Sequence, residues 1–444
     1  MTSQGKPTVL IVGAGLGGLM LGTLLEKINI PYVIFERTSF IKPLGSAISI
    51  GPPILALFQQ LGIYEELVRE GLRYTAIVEH RDNMQPQPFQ DFTPLEELTG
   101  YSQHIIARPV LYDLLLRQIP ANKILLNKRI LSIMEDDDKV TIHAADNTIY
   151  KGDLVVGADG AYSVVRKQMY EKLKRKGWLP KGDDEGLPFN YTCLVGQTTY
   201  MDSDKFPIFK NPSSQSGEKF GENDNPEWGP NAAKQMCDET RDFRTPIKGS
   251  DAYLTLGDLY DRTPQDRISK VMLEEKVFET WYHGRTVLIG DACHKFNPIG
   301  GQGAVTAMHD ALALTNLLYT LTTNTKTTTI SATKIRQLLF EYQQERRPKA
   351  QATFKNSRVL SFILRKDLVG TMVRSASKNM PVWLWRIFLA KAFGNRPQAG
   401  FLEKVEVKGT AAVYPSPSME KARAVFEERK RRDAGAAAAS AQTV

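Results

Sequence analysis

Residues Val9–Arg37 read VLIVGAGLGGLMLGTLLEKINIPYVIFER, and their order decides the fold. Val9 to Val12 are an aliphatic run of the kind that fills a buried parallel strand. Gly13-Ala-Gly15-Leu-Gly17-Gly18 follows at once, and Leu19, Met20, Leu24 and Leu25 then recur with helical spacing. Tyr32 to Phe35 form a second strand that ends at Glu36. In a βαβ start of this kind Gly13 permits the tight turn and Gly15 lets a pyrophosphate approach the backbone. Gly18 lets helix and strand pack closely. The helix start offers its N–H groups to the phosphates. Glu36 stands about 20 residues further on, where an acid accepts hydrogen bonds from ribose hydroxyls. An acid there suits a ribose without a 2′-phosphate, although the adjacent Arg37 leaves a phosphorylated ribose open. A bare glycine pattern is weak evidence. Strand, helix and acid in agreement predict a dinucleotide site.

Three further stretches extend this start. The segment IIARPVLYDLLLRQIP places Arg108 at the opening of an amphipathic helix, where a cation opposes the helix dipole unless an anion lies near. A buried strand, Leu154 to Val156, runs into Gly157-Ala-Asp159-Gly160. Later, VLIGDACHKFNPIGGQGAVTAMHDALAL (Val287–Leu314) ends a buried strand in Gly290-Asp291, turns through glycines and begins a helix. A carboxylate at that place calls for something to bind it.

Composition bounds the rest. A chain of 444 residues with 42% hydrophobic and 24% charged residues has room for two domains or one large α/β unit. Its net charge of +8 is diffuse, which fits anionic cofactors or an acidic membrane surface, and no nucleic-acid-reading motif is present. Cys193, Cys237 and Cys293 are far apart and lack metal-ligand spacing, so no metal site is expected. Scattered cysteines and a strand immediately after MTSQGKPT predict an intracellular protein, cytoplasmic or peripheral on a membrane, that is not secreted.

With GAGLGG at 13–18, GADGAYSVVR at 157–166, GDACHKFNPIGGQG at 290–303 and YQQERRP at 342–348, the chain resembles the class A FAD-dependent monooxygenases, the aromatic-hydroxylase superfamily. The similarity covers about residues 8–400, and its details resemble the fungal secondary-metabolism branch that includes indole-diterpene epoxidases. The resemblance implies an α/β fold: a Rossmann-like FAD-binding domain, an inserted β-sheet substrate domain and C-terminal helices. It implies that Gly13, Gly15, Gly18, Glu36, Ser49, Arg108, Asp159, Asp291, Gly303 and Ala304 contact FAD. Ser163 and Arg166 lie in the segment linked to FAD and pyridine-nucleotide use, and Pro298 lies near the oxygen-binding carbon of the flavin. His294 could be read as a general base, but its place in the GD loop favours a structural role. NAD(P)H is the implied co-substrate. The implied reaction is hydroxylation or epoxidation of a small lipophilic substrate by O2 through a flavin hydroperoxide, with Tyr191 the one catalytic candidate. A flavin-dependent reductase or dehydrogenase, and a non-catalytic flavin-binding remnant, remain the alternatives.

Two positions depart from the pattern: Val305 stands where asparagine is common, and Thr192 follows Tyr191 where the fungal branch often has arginine. Across residues 202–250 the only Val, Ile or Leu are Ile208 and Ile247, which predicts loops, one helix over Asn231–Asp242 and a shortened substrate sheet. The expected organisation is flavin domain over 1–75, 111–188 and 281–350, and substrate layer over 76–110 and 189–280. A helical region over 351–425 and a disordered tail over 426–444 complete it. Within Val382–Leu402, Trp383, Trp385, Phe388 and Leu389 alternate with Arg386 and Lys391. Two readings stay open there, a helix lying on lipid and an amphipathic helix covering the flavin domain.

Overall fold

The computed structural model describes residues 6–40, 47–80, 86–136, 138–196, 198–199, 217–219, 230–246, 253–298, 301–324, 331–363, 368, 371–372, 375 and 380–441. Strand β1 (Val9–Val12) is wholly buried and leads into helix α1 (Leu16–Lys27), which returns the chain to strand β2 (Tyr32–Phe35). The two strands pair in parallel from Val9 opposite Tyr32 to Val12 opposite Phe35. Helix α2 (Arg108–Leu116) follows, then strand β3 (Leu154–Gly157) and helix α3 (Val164–Arg175). Strand β4 (Thr286–Leu288) completes the parallel core before helix α4 (Gly303–Asn324). The resulting six-stranded sheet runs Tyr282–His283, β4, β3, β1, β2, Ile124–Leu125, parallel except for its first edge. Continuous apolar strands such as VLIV and LVVG are what burial on both faces requires.

The second layer is antiparallel. Phe189–Gly196 pairs with Ile268–Glu274 on one side and Gly217–Lys219 on the other. Within the sparse region 202–250, the structure describes that short strand, a helix over Pro230–Thr240 and a strand over Arg244–Pro246. The expected helix is present; the expected loops over 202–216, 220–229 and 247–250 lie outside the described residues. Gln103–Ala107, grouped by sequence with the substrate layer, pairs instead with Ala47–Ile50 and Leu72–Tyr74.

Helix α5 (Ala332–Ile363) and helix α6 (Val382–Ala392) belong to the C-terminal region. Leu389 and Phe393 anchor α6 in a small core with Tyr74, Phe92, Leu95 and Leu98. Its other face is exposed. The expectation of a disordered tail from residue 426 is corrected: Pro417–Ala441 forms one helix, α7. The alanine-rich end needs no core to be helical, because its propensity is high and Arg432 pairs with Glu428 one turn away.

Candidate functional site

The four parallel strands end level with one another. Val12 lies opposite Phe35 and Gly157, and Gly157 lies opposite Leu288. Gly13, Glu36, Ala158-Asp159 and Gly290-Asp291 therefore leave the sheet along one edge, where open α/β sheets bind their ligands.

The glycines at this edge fall into two groups. Gly13 has φ +106°, and a Cβ there would sit 2.5 Å from the Ala158 carbonyl oxygen; one on Gly18 would sit 2.1 Å from that of Gly13. Both are glycine because the fold itself leaves no room. Gly15 is different. Its φ of −71° suits any residue, and the nearest described atoms to an added Cβ are 3.7 Å away on Ala158 and 3.9 Å away on Tyr112. An added Cβ on Gly303 has no described atom within 4 Å. Neither α1 nor α4 carries an acid in its first turn, and no side chain caps α1. Two positive helix ends thus open beside glycines that no described atom requires to be glycine. Such a cradle fits the anionic pyrophosphate and the carbonyl-bearing pyrimidine edge of FAD.

Glu36 braces the glycine loop. Its Oε2 accepts from the Ala14 N–H at 3.0 Å, and its Oε1 accepts from the Thr38 N–H and hydroxyl, both at 3.0 Å. Oε2, which accepts only one bond, retains a lone pair for a ribose hydroxyl. Arg108 is exposed at the start of α2, 5.6 Å from the centre of the Tyr112 ring, and no described carboxylate pairs with it. Ser49 shares a 2.6 Å hydrogen bond with the Tyr74 hydroxyl and lies against Gly301.

Asp159 works on the fold. It accepts from the Ser163 hydroxyl at 2.5 Å and from the Val164 and Val165 N–H groups at 2.7 and 3.2 Å, holding the start of α3. Burial raises its pKa against these hydrogen bonds. Arg166 is buried and donates to the carbonyls of Ala161 (2.6 Å) and Ala292 (2.8 Å), joining the two aspartate loops.

Asp291 is partly exposed, and its carboxylate bonds to no described residue. Behind it lies a network that the sequence did not reveal. Asp310 on α4 is fully buried; its Oδ2 accepts from the Gly290 N–H at 3.0 Å and meets His294 Nε2 at 2.6 Å. Its Oδ1 accepts from Arg346 Nε at 2.7 Å. Burial alone would raise the Asp310 pKa, but His294 and Arg346 outweigh it and hold the carboxyl below its usual range. His294 is fully buried and stacked on Phe296, which suits the structural role. Cys293, His294 and Asp310 lie close enough to suggest metal ligands, but Arg346 already neutralises the carboxylate and burial raises the thiol pKa. The available signal was an acid within the apolar helix run MHDALAL and an arginine pair in YQQERRP.

Tyr191 lies on the strand Phe189–Gly196, but its side chain falls outside the described residues. Its neighbour Thr192 is buried with a hydroxyl that has no described partner. Val305 is buried in α4, and Pro298 is exposed at the end of the GD loop.

This fold and cleft define a dinucleotide-binding flavoprotein of the α/β class. The FAD binding domain family matches residues 6–180 and 254–357. The FAD-dependent monooxygenase ptmM of Penicillium ochrochloron is 30% identical over 402 residues, covering 83% of this chain and 92% of that protein. The FAD-dependent monooxygenase penM of Penicillium crustosum is 31% identical over 388 residues, covering 82% of this chain and 80% of its own. Among solved structures, Klebsiella pneumoniae HpxO complexed with FAD and uric acid superposes with a TM-score of 0.67 at 19% identity, covering 89% of this chain and 98% of that one. The chain belongs to the FAD binding domain family and is a FAD-dependent monooxygenase with homologues in fungal secondary metabolism. It acts on a small molecule, and among the described residues no helix is long and apolar enough to cross a membrane.

Proposed function

We propose that the enzyme uses NAD(P)H and O2 to hydroxylate or epoxidise a lipophilic secondary metabolite. The observation that carries this reading is the pair of helix starts at Gly15 and Gly303, neither with an acid in its first turn, and an Asp291 carboxylate that bonds to no described residue between the sheet edge and α4. Bound FAD would take reducing equivalents from the nicotinamide and activate oxygen. With FAD bound, Asp291 would accept hydrogen bonds from the ribityl hydroxyls and Glu36 from the ribose, and the Gly303 and Ala304 backbone would serve the pyrimidine edge. Arg108, beside the Tyr112 ring, would offer its charge to the nucleotide. The positive end of α4 would favour negative charge on a ring held there. Epoxidation needs no protein base, which agrees with the burial of His294. The strands Phe189–Gly196 and Ile268–Glu274 supply the substrate side of the cleft.

The exposed face of α6 brings the enzyme to a membrane surface. Val382, Trp383 and Ile387 are 72%, 63% and 56% exposed. Residues 364–397 contain Arg365, Lys366, Arg374, Lys378 and Lys391 but only one acid, Asp367. An apolar face within a stretch of sequence rich in basic residues suits peripheral contact with anionic lipid, where a lipophilic substrate would also collect. The enzyme then works inside the cell, in the cytoplasm or on that surface.

The test is NAD(P)H oxidation under labelled oxygen with a panel of prenylated and polycyclic compounds. Label appearing in a product supports the reading. Substrate oxidised without label would replace it with a reductase or dehydrogenase. Peroxide formation that no compound stimulates would leave only a flavin-binding remnant.

A further inference from the structure

We propose that Asp310 is a positioning residue for the cofactor: it locks the GD turn onto the first turns of α4, so that Asp291 and the Ala304 N–H face one bound flavin. This rests on the site reading above. The turn Gly290–Ala292 is held from two sides. Asp310 accepts the Gly290 N–H at 3.0 Å, and Arg166 donates to the Ala292 carbonyl at 2.8 Å. The residue between them, Asp291, is the one whose side chain bonds to no described residue. Gly290 has φ +61°, and a Cβ there would lie 2.9 Å from the Ala307 Cβ, so the turn sits directly on α4. Arg346, bound to Asp310 Oδ1 at 2.7 Å, also reaches the Thr306 carbonyl at 3.3 Å. One carboxylate therefore addresses both elements, the turn through its own oxygen and the helix start through Arg346.

The energetics point the same way. Asp310 is wholly buried and Arg346 is 2% exposed. Burying such a pair costs several kcal/mol per ion, and an apolar filling of the same volume is often as stable or more so. The network supplies what apolar packing cannot: a fixed acceptor for one particular N–H in a left-handed turn.

The experiment is FAD titration of the apo full-length protein, with the midpoint potential of the bound flavin as a second readout. It compares wild type with Asp310→Asn, Asp310→Glu and Asp291→Ala. The expected result is a rise in the FAD Kd of about tenfold or more for both Asp310 variants, matching loss of a hydrogen bond to a charged group. A shift in midpoint potential and an unchanged far-UV spectrum should accompany it. Asp310→Asn leaves Arg346 uncompensated and could fail to fold. Asp310→Glu keeps the charge, moves the acceptor and then decides the matter. A folded Asp310 variant with the wild-type Kd and potential overturns the proposal even if its Tm falls. Asp291→Ala separates the two ideas. If it binds FAD like wild type, the assignment of Asp291 fails, and the positioning role fails with it.

Discussion

Gly17 on α1 packs against Ala307 on α4: a Cβ on Gly17 would lie 3.4 Å from the Ala307 Cβ and 3.6 Å from the Ala307 carbonyl oxygen. This contact brings the helix starts at Leu16 and Gly303, far apart in sequence, to the same edge of the sheet. Replacing Gly17 with valine should push the helices apart. We expect a stability loss of about 1–3 kcal/mol, as for other overpacked sites, together with weaker FAD binding. Urea unfolding of the apo protein and a FAD titration measure the two effects. A variant with wild-type values for both would show that α1 and α4 need no close approach.

The two glycine groups give a sharper contrast. A Cβ on Gly18 would meet the Gly13 carbonyl oxygen at 2.1 Å, so Gly18→Ala should destabilise the apo fold. Gly15 has an ordinary φ and space around it, so Gly15→Val should cost the apo fold no more than about 1 kcal/mol, for a poorer N-cap. Its FAD affinity should fall by more than tenfold. If Gly15→Val binds FAD normally, the pyrophosphate does not pass over that glycine.

The surface of α6 yields a third expectation. Wild-type protein should co-sediment with vesicles containing anionic lipid, less so as salt is raised, and poorly with neutral vesicles. Trp383→Glu with Ile387→Glu should abolish this binding without changing FAD content, because both side chains are more than half exposed. Equal sedimentation of wild type and double variant would remove the lipid role of that face.

These variants also mark what the sequence could reveal. The strand–glycine–helix start was legible because its reasons are local: Gly13 and Gly18 clash with atoms only a few residues away or one strand over. Asp310 and Arg346 were not. They lie 36 residues apart in sequence, and each reads alone as a polar residue on a helix until the fold brings them to 2.7 Å. The motif gives Asp159 as a cofactor contact, and the structure adds what the motif does not carry: both its oxygens hold the start of α3. The C-terminal helix departs from the sequence expectation for another reason. Apolar bulk measures the capacity to form a core, whereas Pro417–Ala441 is helical through propensity and side-chain pairs.

His309 gives the last prediction. It is 4% exposed on α4, and its Nε2 donates to the Pro53 carbonyl at 2.9 Å. Burial, reinforced by the nearby Arg346 charge, lowers its pKa to about 3, whereas an unfolded histidine titrates near 6.5. Between those values the unfolded chain binds a proton that the folded protein refuses, so stability rises with pH across the window. The contribution is complete above about pH 6.5 and is lost as pH falls toward 3. From pH 7 to pH 5 this one group should remove about 2 kcal/mol of stability. His309→Gln keeps an N–H that can reach the Pro53 carbonyl but carries no titrating proton. Urea unfolding at both pH values should therefore give a smaller drop for the variant than for wild type. An equal drop in the two proteins would mean that His309 is not held neutral in the fold.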